Sequence, residues 1–215
     1  MVPAWLHGLS IAYLLIGFLC AAIIAADVAR CPQHMGIMNV VWPITALFGT
    51  VWILWHYLTY GRLATHAKMH AAMERKEEPP SKRLTPFSIV VANGVLHCGS
   101  GCTLGDICAE WLVLAFPVIA VWFGWHSIFG DRIFAVWIAD YLFAYGFGIV
   151  FQYFTIAPMR DLSFWQNIIA AIKADTLSLT AWQIGMYGFM ALAYFYISEL
   201  CSAFRYALTW LSSGL

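Results

Sequence analysis

The sequence predicts an all-α fold, a polytopic membrane helix bundle of about five spans, as a single membrane domain over residues 1–215. Three observations carry this. Of the 215 residues, 62% are hydrophobic and only 10% are charged, far from the balance of a soluble domain. Several apolar runs reach the roughly 20 residues that a bilayer crossing needs. Nine of the 22 charged residues gather in one hydrophilic stretch, residues 61–85. Lys plus Arg and Asp plus Glu number 11 each, so no basic excess points to a nucleic-acid partner.

Residues 4–26 carry no charge and suffice for a first span, with Trp5 and His7 at its entrance. No Lys/Arg cluster precedes it, so it reads as a retained helix rather than a signal peptide. Residues 27–33 form a polar turn with Arg30, Cys31 and Pro32. His34, Met35, Met38 and Asn39 then open the second span. His34 and Met38 share a helix face and Met35 lies beside them, and a His with two thioethers is a soft ligand set suited to Cu(I). The span continues to residue 60, with a kink expected at Trp42-Pro43 and an aromatic belt of Trp52, Trp55, His56 and Tyr57 at its far interface.

The hydrophilic residues 61–85 form a loop that the positive-inside rule assigns to the cytoplasm. Pro79-Pro80 ends any helix within it. Residues 87–124 hold no Lys or Arg; as one helix they would extend about 57 Å at 1.5 Å per residue, too far for one crossing, so a break is expected at Gly99-Ser100-Gly101. The fourth span covers residues 133–159, with Asp140, Gln152 and, at its end, Met159. Residues 164–173 read as an amphipathic helix lying on the membrane. Asp175 follows, and the last span, residues 176–198, holds Trp182, Gln183 and Met186 before an interfacial tail over 199–215. Five crossings with the basic loop inside place Arg62, Lys68, Arg75, Lys76, Lys82, Arg83, Arg160 and Lys173 inside and Arg30, Arg132 and Arg205 outside. The amino terminus is then cytoplasmic, in a bacterial-type inner membrane.

Chemistry concentrates in residues 96–110. In a helix, each step of four residues turns about 40° past a full circle, so Cys98, Cys102, Asp106 and Glu110 form one stripe. Gly101 and Gly105 make a small-xxx-small spacing that lets another helix approach. Packing alone explains the glycines and the thiols. It does not explain two acids on the same stripe, because a charge at mid-bilayer costs at least about 3 kcal/mol. Asp140, inside a span, raises the same question. The six cysteines lie mostly in apolar runs, where a secreted-type disulfide framework has no place.

His97, Cys98, Cys102 and Asp106 are therefore the candidate metal site, with His34, Met35 and Met38 as a second station near the outer surface. Asn39, Glu110, Asp140, Gln152, Met159, Asp175, Gln183 and Met186 are further candidate functional positions. Three classes of function stay open: a membrane protein that binds or translocates a soft metal cation, Cu(I) favoured; a structural or assembly subunit of a larger membrane complex; and a thiol oxidoreductase. The third is weakest, because catalytic dithiols usually occur as Cys-x-x-Cys at a helix start and the spacing here is Cys-x-x-x-Cys. No catalytic residue is assigned. The partners expected are the lipid bilayer, a metal ion and either further copies of the chain or a larger complex.

Four sets of residues also resemble one membrane family. They are Met38-Asn39-Val40-Val41-Trp42-Pro43-Ile44-Thr45-Ala46-Leu47, the His97-Cys98 to Gly105-Asp106 run, Phe151-Gln152-Tyr153 with Ile156-Ala157-Pro158-Met159, and Lys173-Ala174-Asp175-Thr176-Leu177-Ser178 with Trp182-Gln183-Ile184-Gly185-Met186-Tyr187-Gly188. The resemblance covers roughly residues 33–190 and is to a bacterial and fungal domain of unknown function. It implies a membrane protein and carries no activity.

Overall fold

The structure, a computed structural model, describes residues 4–197. Within them there is no strand, and the helices are α1 (Ala4–Arg30), α2 (Met38–Thr59), α3 (His66–Glu74), α4 (Pro80–Arg83), α5 (Phe87–Ala115), α6 (Val118–Trp122), α7 (Arg132–Ile156) and α8 (Phe164–Ala191). Four of the described helices, α1, α2, α5 and α7, are long and apolar enough to cross a membrane. The fold is a membrane helix bundle.

One of the four does not run straight. At Thr50 the backbone turns to φ 44° and ψ −126°, and α2 folds back on itself. Trp42 and Tyr57, about 22 Å apart along a straight helix at 1.5 Å per residue, have ring centroids only 5.4 Å apart. Trp42 also lies 5.4 Å from the His56 ring. The two arms, residues 38–49 and 51–59, are each shorter than a bilayer crossing. They pack on α1 around Cys20, Ile24, Val28, Trp42, Ala46 and Tyr57.

The reversal brings both ends of α2 to one end of the bundle. His34 N–H donates to the Ala64 carbonyl at 2.9 Å and His66 N–H to that of Pro32 at 2.8 Å. Arg62 pairs with Asp27 at 3.2 Å, and the Tyr57 hydroxyl donates to the same carboxylate at 2.6 Å. Residues 27–37 and 60–66 therefore sit together at what is called here the loop end. This corrects the expected topology, in which those two segments lay on opposite faces of the membrane. The kink expected at Pro43 is also displaced, since the chain turns at Thr50 instead.

A second correction concerns α5, which runs unbroken through Gly99-Ser100-Gly101. The glycines serve contact with α7: a Cβ on Gly101 would lie 2.9 Å from the Gly148 Cα, and one on Gly105 would lie 2.4 Å from the Ala144 Cα. Close approach of the two helices offsets the loss of helix propensity at each glycine. The break comes at Phe116, with φ −130° and ψ 79°, just before Pro117, where proline cannot continue a helix. The N-terminal half of α5 lies against the α2 hairpin, with His56 Nε2 and Asn93 Oδ1 2.7 Å apart.

A third correction joins two expected elements. Residues 164–173 are not a separate surface helix but the first turns of α8, which starts at a capping box between Ser163 and Gln166 and continues to Ala191. It runs antiparallel to α7: Tyr145 hydroxyl lies 2.9 Å from Thr176 Oγ1, Tyr141 hydroxyl 3.0 Å from Thr180 Oγ1, and Tyr187 hydroxyl donates to the Trp137 carbonyl at 2.9 Å. With α1, α5, α7 and α8 alternating in direction, the start of α1 lies at the far end, opposite residues 61–85. Residue 198 and the tail expected over 199–215 lie outside the described residues.

Candidate functional site

Where α5, α7 and α8 meet, the interior becomes polar. Cys98 and Cys102, one helical turn apart on α5, are both buried and their sulfurs are 4.0 Å apart. Leu179 and Ala144 pack over them. Asp175 on α8 is 0% exposed. It lies beside Cys98 and Gln152, and neither of its oxygens has a hydrogen bond of normal geometry. Its position depends on a glycine in α7, because a Cβ on Gly148 would lie 2.1 Å from Asp175 Oδ2.

One turn further along α5, Asp106 Oδ1 accepts a hydrogen bond from the Gln183 amide at 3.1 Å. Asp140, 2% exposed, is next to this pair, with Oδ1 unpartnered. Asp140 and Asp175 are buried, whereas no Lys or Arg is buried among the described residues. The hairpin reaches the same region: the Phe48 ring, two residues before the turn, is 5.8 Å from Trp182 and touches the position of Gly99. Tyr13 hydroxyl bonds the Phe48 carbonyl, which ties the hairpin tip to the middle of α1.

The remaining candidates scatter. His97 is adjacent to Cys98 in sequence but faces α7, where its Nδ1 lies 3.0 Å from Thr155 Oγ1. Glu110 is exposed and lines a cavity of about 420 Å³ near the far end, with Arg132 on the same wall. Asn39 Oδ1 accepts the Gln33 N–H at 2.8 Å and so fixes the entry to α2. Met159 is exposed and Met186 half-buried. His34, Met35 and Met38 do share a cavity, of about 230 Å³, but it also takes in Met69 and Ser81 from the basic loop. The residues expected to form a second station thus lie at the loop end and not on the opposite face, because α2 returns.

Among the described residues, no three His, Cys, Asp or Glu side chains converge as a metal site. The line of Cys98, Cys102 and Asp106 along α5 follows the stripe visible in the sequence. The partnership of Cys98 with Asp175 does not, since it spans two helices, and neither do those of Tyr57, Asp27 and Arg62. The described cysteines, Cys20, Cys31, Cys98, Cys102 and Cys108, are free thiols.

A family model described as a domain of unknown function, DUF4396, matches residues 90–215. The matched segment takes in the thiols, Asp106, Asp140, Asp175 and Gln183, and leaves out α1 and the α2 hairpin with its Met38 to Leu47 motif. No curated protein and no solved structure matches the chain.

Proposed function

The chain belongs to the family so described, and we propose from the site itself that it binds a soft cation, Cu(I) in preference, between α5 and α8 as part of moving it through the membrane. The observation that carries this is a fully buried carboxylate, Asp175, whose polar neighbours are Cys98 and Gln152 rather than a cation, set beside two thiols 4.0 Å apart in an interior with no buried Lys or Arg among the described residues. Uncompensated anionic groups in a low-dielectric interior are costly, and either protons or a bound cation must balance them. Thiolates select soft metals. With a metal about 2.3 Å from each sulfur, the spacing corresponds to an S–metal–S angle of about 120°, open enough for a third donor from the Asp175 side.

His34, Met35, Met38 and Met69 provide a weaker soft station at the loop end. Arg30, Arg62, Lys68, Arg75, Lys76, Lys82, Arg83 and Arg160 belong to loop-end segments and Arg132 to the far end, a bias that supports a cytoplasmic loop end in a bacterial-type cell, with the start of α1 outside.

Competition with a Cu(I) chelator tests the binding step. The wild-type chain is expected to hold one Cu(I), Cys98→Ser/Cys102→Ser to bind at least about a hundredfold more weakly, and Asp175→Asn to bind about tenfold more weakly. Equal binding by wild type and the double variant, or binding by neither, would make the thiols packing residues and the chain a subunit of a larger membrane assembly.

A further inference from the structure

We propose that a cavity at the loop end, separate from the thiol site, holds the phosphate of an anionic lipid headgroup. The cavity measures about 520 Å³ and is lined by Arg30, Arg62, His66 and Lys68, with Leu58 and Pro32 as apolar walls and no acid among the lining residues. Asp27, the acid of the neighbouring network, is already held by Arg62 at 3.2 Å and by the Tyr57 hydroxyl at 2.6 Å. Arg30 and Lys68 thus line a space that no protein carboxylate lines.

The start of α3 adds to the same field. Thr65, His66, Ala67 and Lys68 all line the cavity, and the Thr65 side chain does not cap the helix. It donates back to the Arg62 carbonyl at 3.5 Å instead. The His66 N–H is taken by the Pro32 carbonyl, and the next two residues of the first turn, Ala67 and Lys68, line the cavity. Unfilled N–H groups and the positive end of the helix dipole favour an oxyanion, and arginine beside them gives a charge-assisted, planar donor set.

Position decides for a lipid over a free anion. The cavity lies where α1 and the second arm of α2 end, at the level where a membrane headgroup would sit, and basic pockets at that level select anionic lipids. On the neighbouring outer face of α2, Trp55 and Leu58 are 55% and 47% exposed and extend an apolar surface for the acyl chains. The inference rests on the membrane fold and is independent of copper.

The test uses the purified full chain, with melting followed in phosphatidylcholine, in phosphatidylglycerol, and in phosphatidylcholine with added inorganic phosphate. Phosphatidylglycerol is expected to raise the melting temperature of the wild type and to remain bound in native mass spectrometry. Arg30→Gln/Lys68→Gln, both at exposed positions, is expected to melt like wild type in phosphatidylcholine and to bind phosphatidylglycerol about tenfold more weakly. Lys68→Gln alone, expected to lose part of that affinity, supplies the comparison if the double variant melts early. An undiminished response to phosphatidylglycerol in both variants overturns the site. Inorganic phosphate that stabilises the wild type as much as the lipid, and displaces it, overturns the lipid assignment.

Discussion

Gly105 and Gly146 show how differently two glycines can act in one bundle. A Cβ at Gly105 would lie 2.4 Å from the Cα and N of Ala144, whereas one at Gly146 would meet nothing within 4 Å. Gly105→Ala forces α5 and α7 apart and is expected to cost about 1–3 kcal/mol. Gly146→Ala gains helix propensity without a clash and is expected to stabilise by up to about 1 kcal/mol. Thermal unfolding in detergent reads both, and a stabilising Gly105→Ala would show that the helices are not in contact there. At the same scale, the buried acids matter for what surrounds them. Asp106 has the Gln183 amide at 3.1 Å, while Asp175 lies against a thiol, Cys98, with neither oxygen in a hydrogen bond of normal geometry, and this thiol neighbour is why the cation is proposed to bind at Asp175.

The α2 hairpin turns on a single residue. Thr50 adopts φ 44° and ψ −126°, a region that β-branched side chains rarely occupy and that costs on the order of 1–3 kcal/mol. Glycine enters it freely, but it also adds about 1 kcal/mol of unfolded-state entropy. Thr50→Gly is therefore expected to raise stability by about 1 kcal/mol and to preserve the fold, as judged by melting temperature. A loss of several degrees would mean that the turn is not at Thr50. The buried turn is tolerated because protein covers it: Phe48 packs on Trp182 and its carbonyl is bonded by Tyr13. Irregular backbone at membrane depth requires such cover.

Across the whole molecule, four alternating helices and one returning hairpin set which loops share a face. Gly36 and Glu78 both belong to the loop end, while Ser127, between α6 and α7, belongs to the far end. In a cysteine-free background, Gly36→Cys and Glu78→Cys are expected to react with an impermeant thiol reagent from the same side of the membrane, and Ser127→Cys from the other. Opposite sides for Gly36→Cys and Glu78→Cys would restore a straight, crossing α2. The polar interior lies between these two faces, which is where a carrier must hold its cargo if it is to release it to either side.

The sequence by itself determined the all-helical membrane class and the candidate stripe of Cys98, Cys102 and Asp106, because hydropathy and the helical period are local properties of the chain. It also pointed to Gly101 and Gly105 as contact positions, through their spacing. It did not determine that α5 continues through those glycines, since a glycine that breaks an isolated helix is held in one when a neighbouring helix packs against it. Nor did it reveal the return of α2, whose 22 residues have the length and mean hydropathy of a span. Only the tertiary structure decided that Trp42 meets Tyr57, that Arg62 meets Asp27 and that Asp175 stands beside Cys98. Two of these pairs join separate helices or loops and the third joins the two arms of α2 across its turn, and no local pattern records which residues a folded chain brings together.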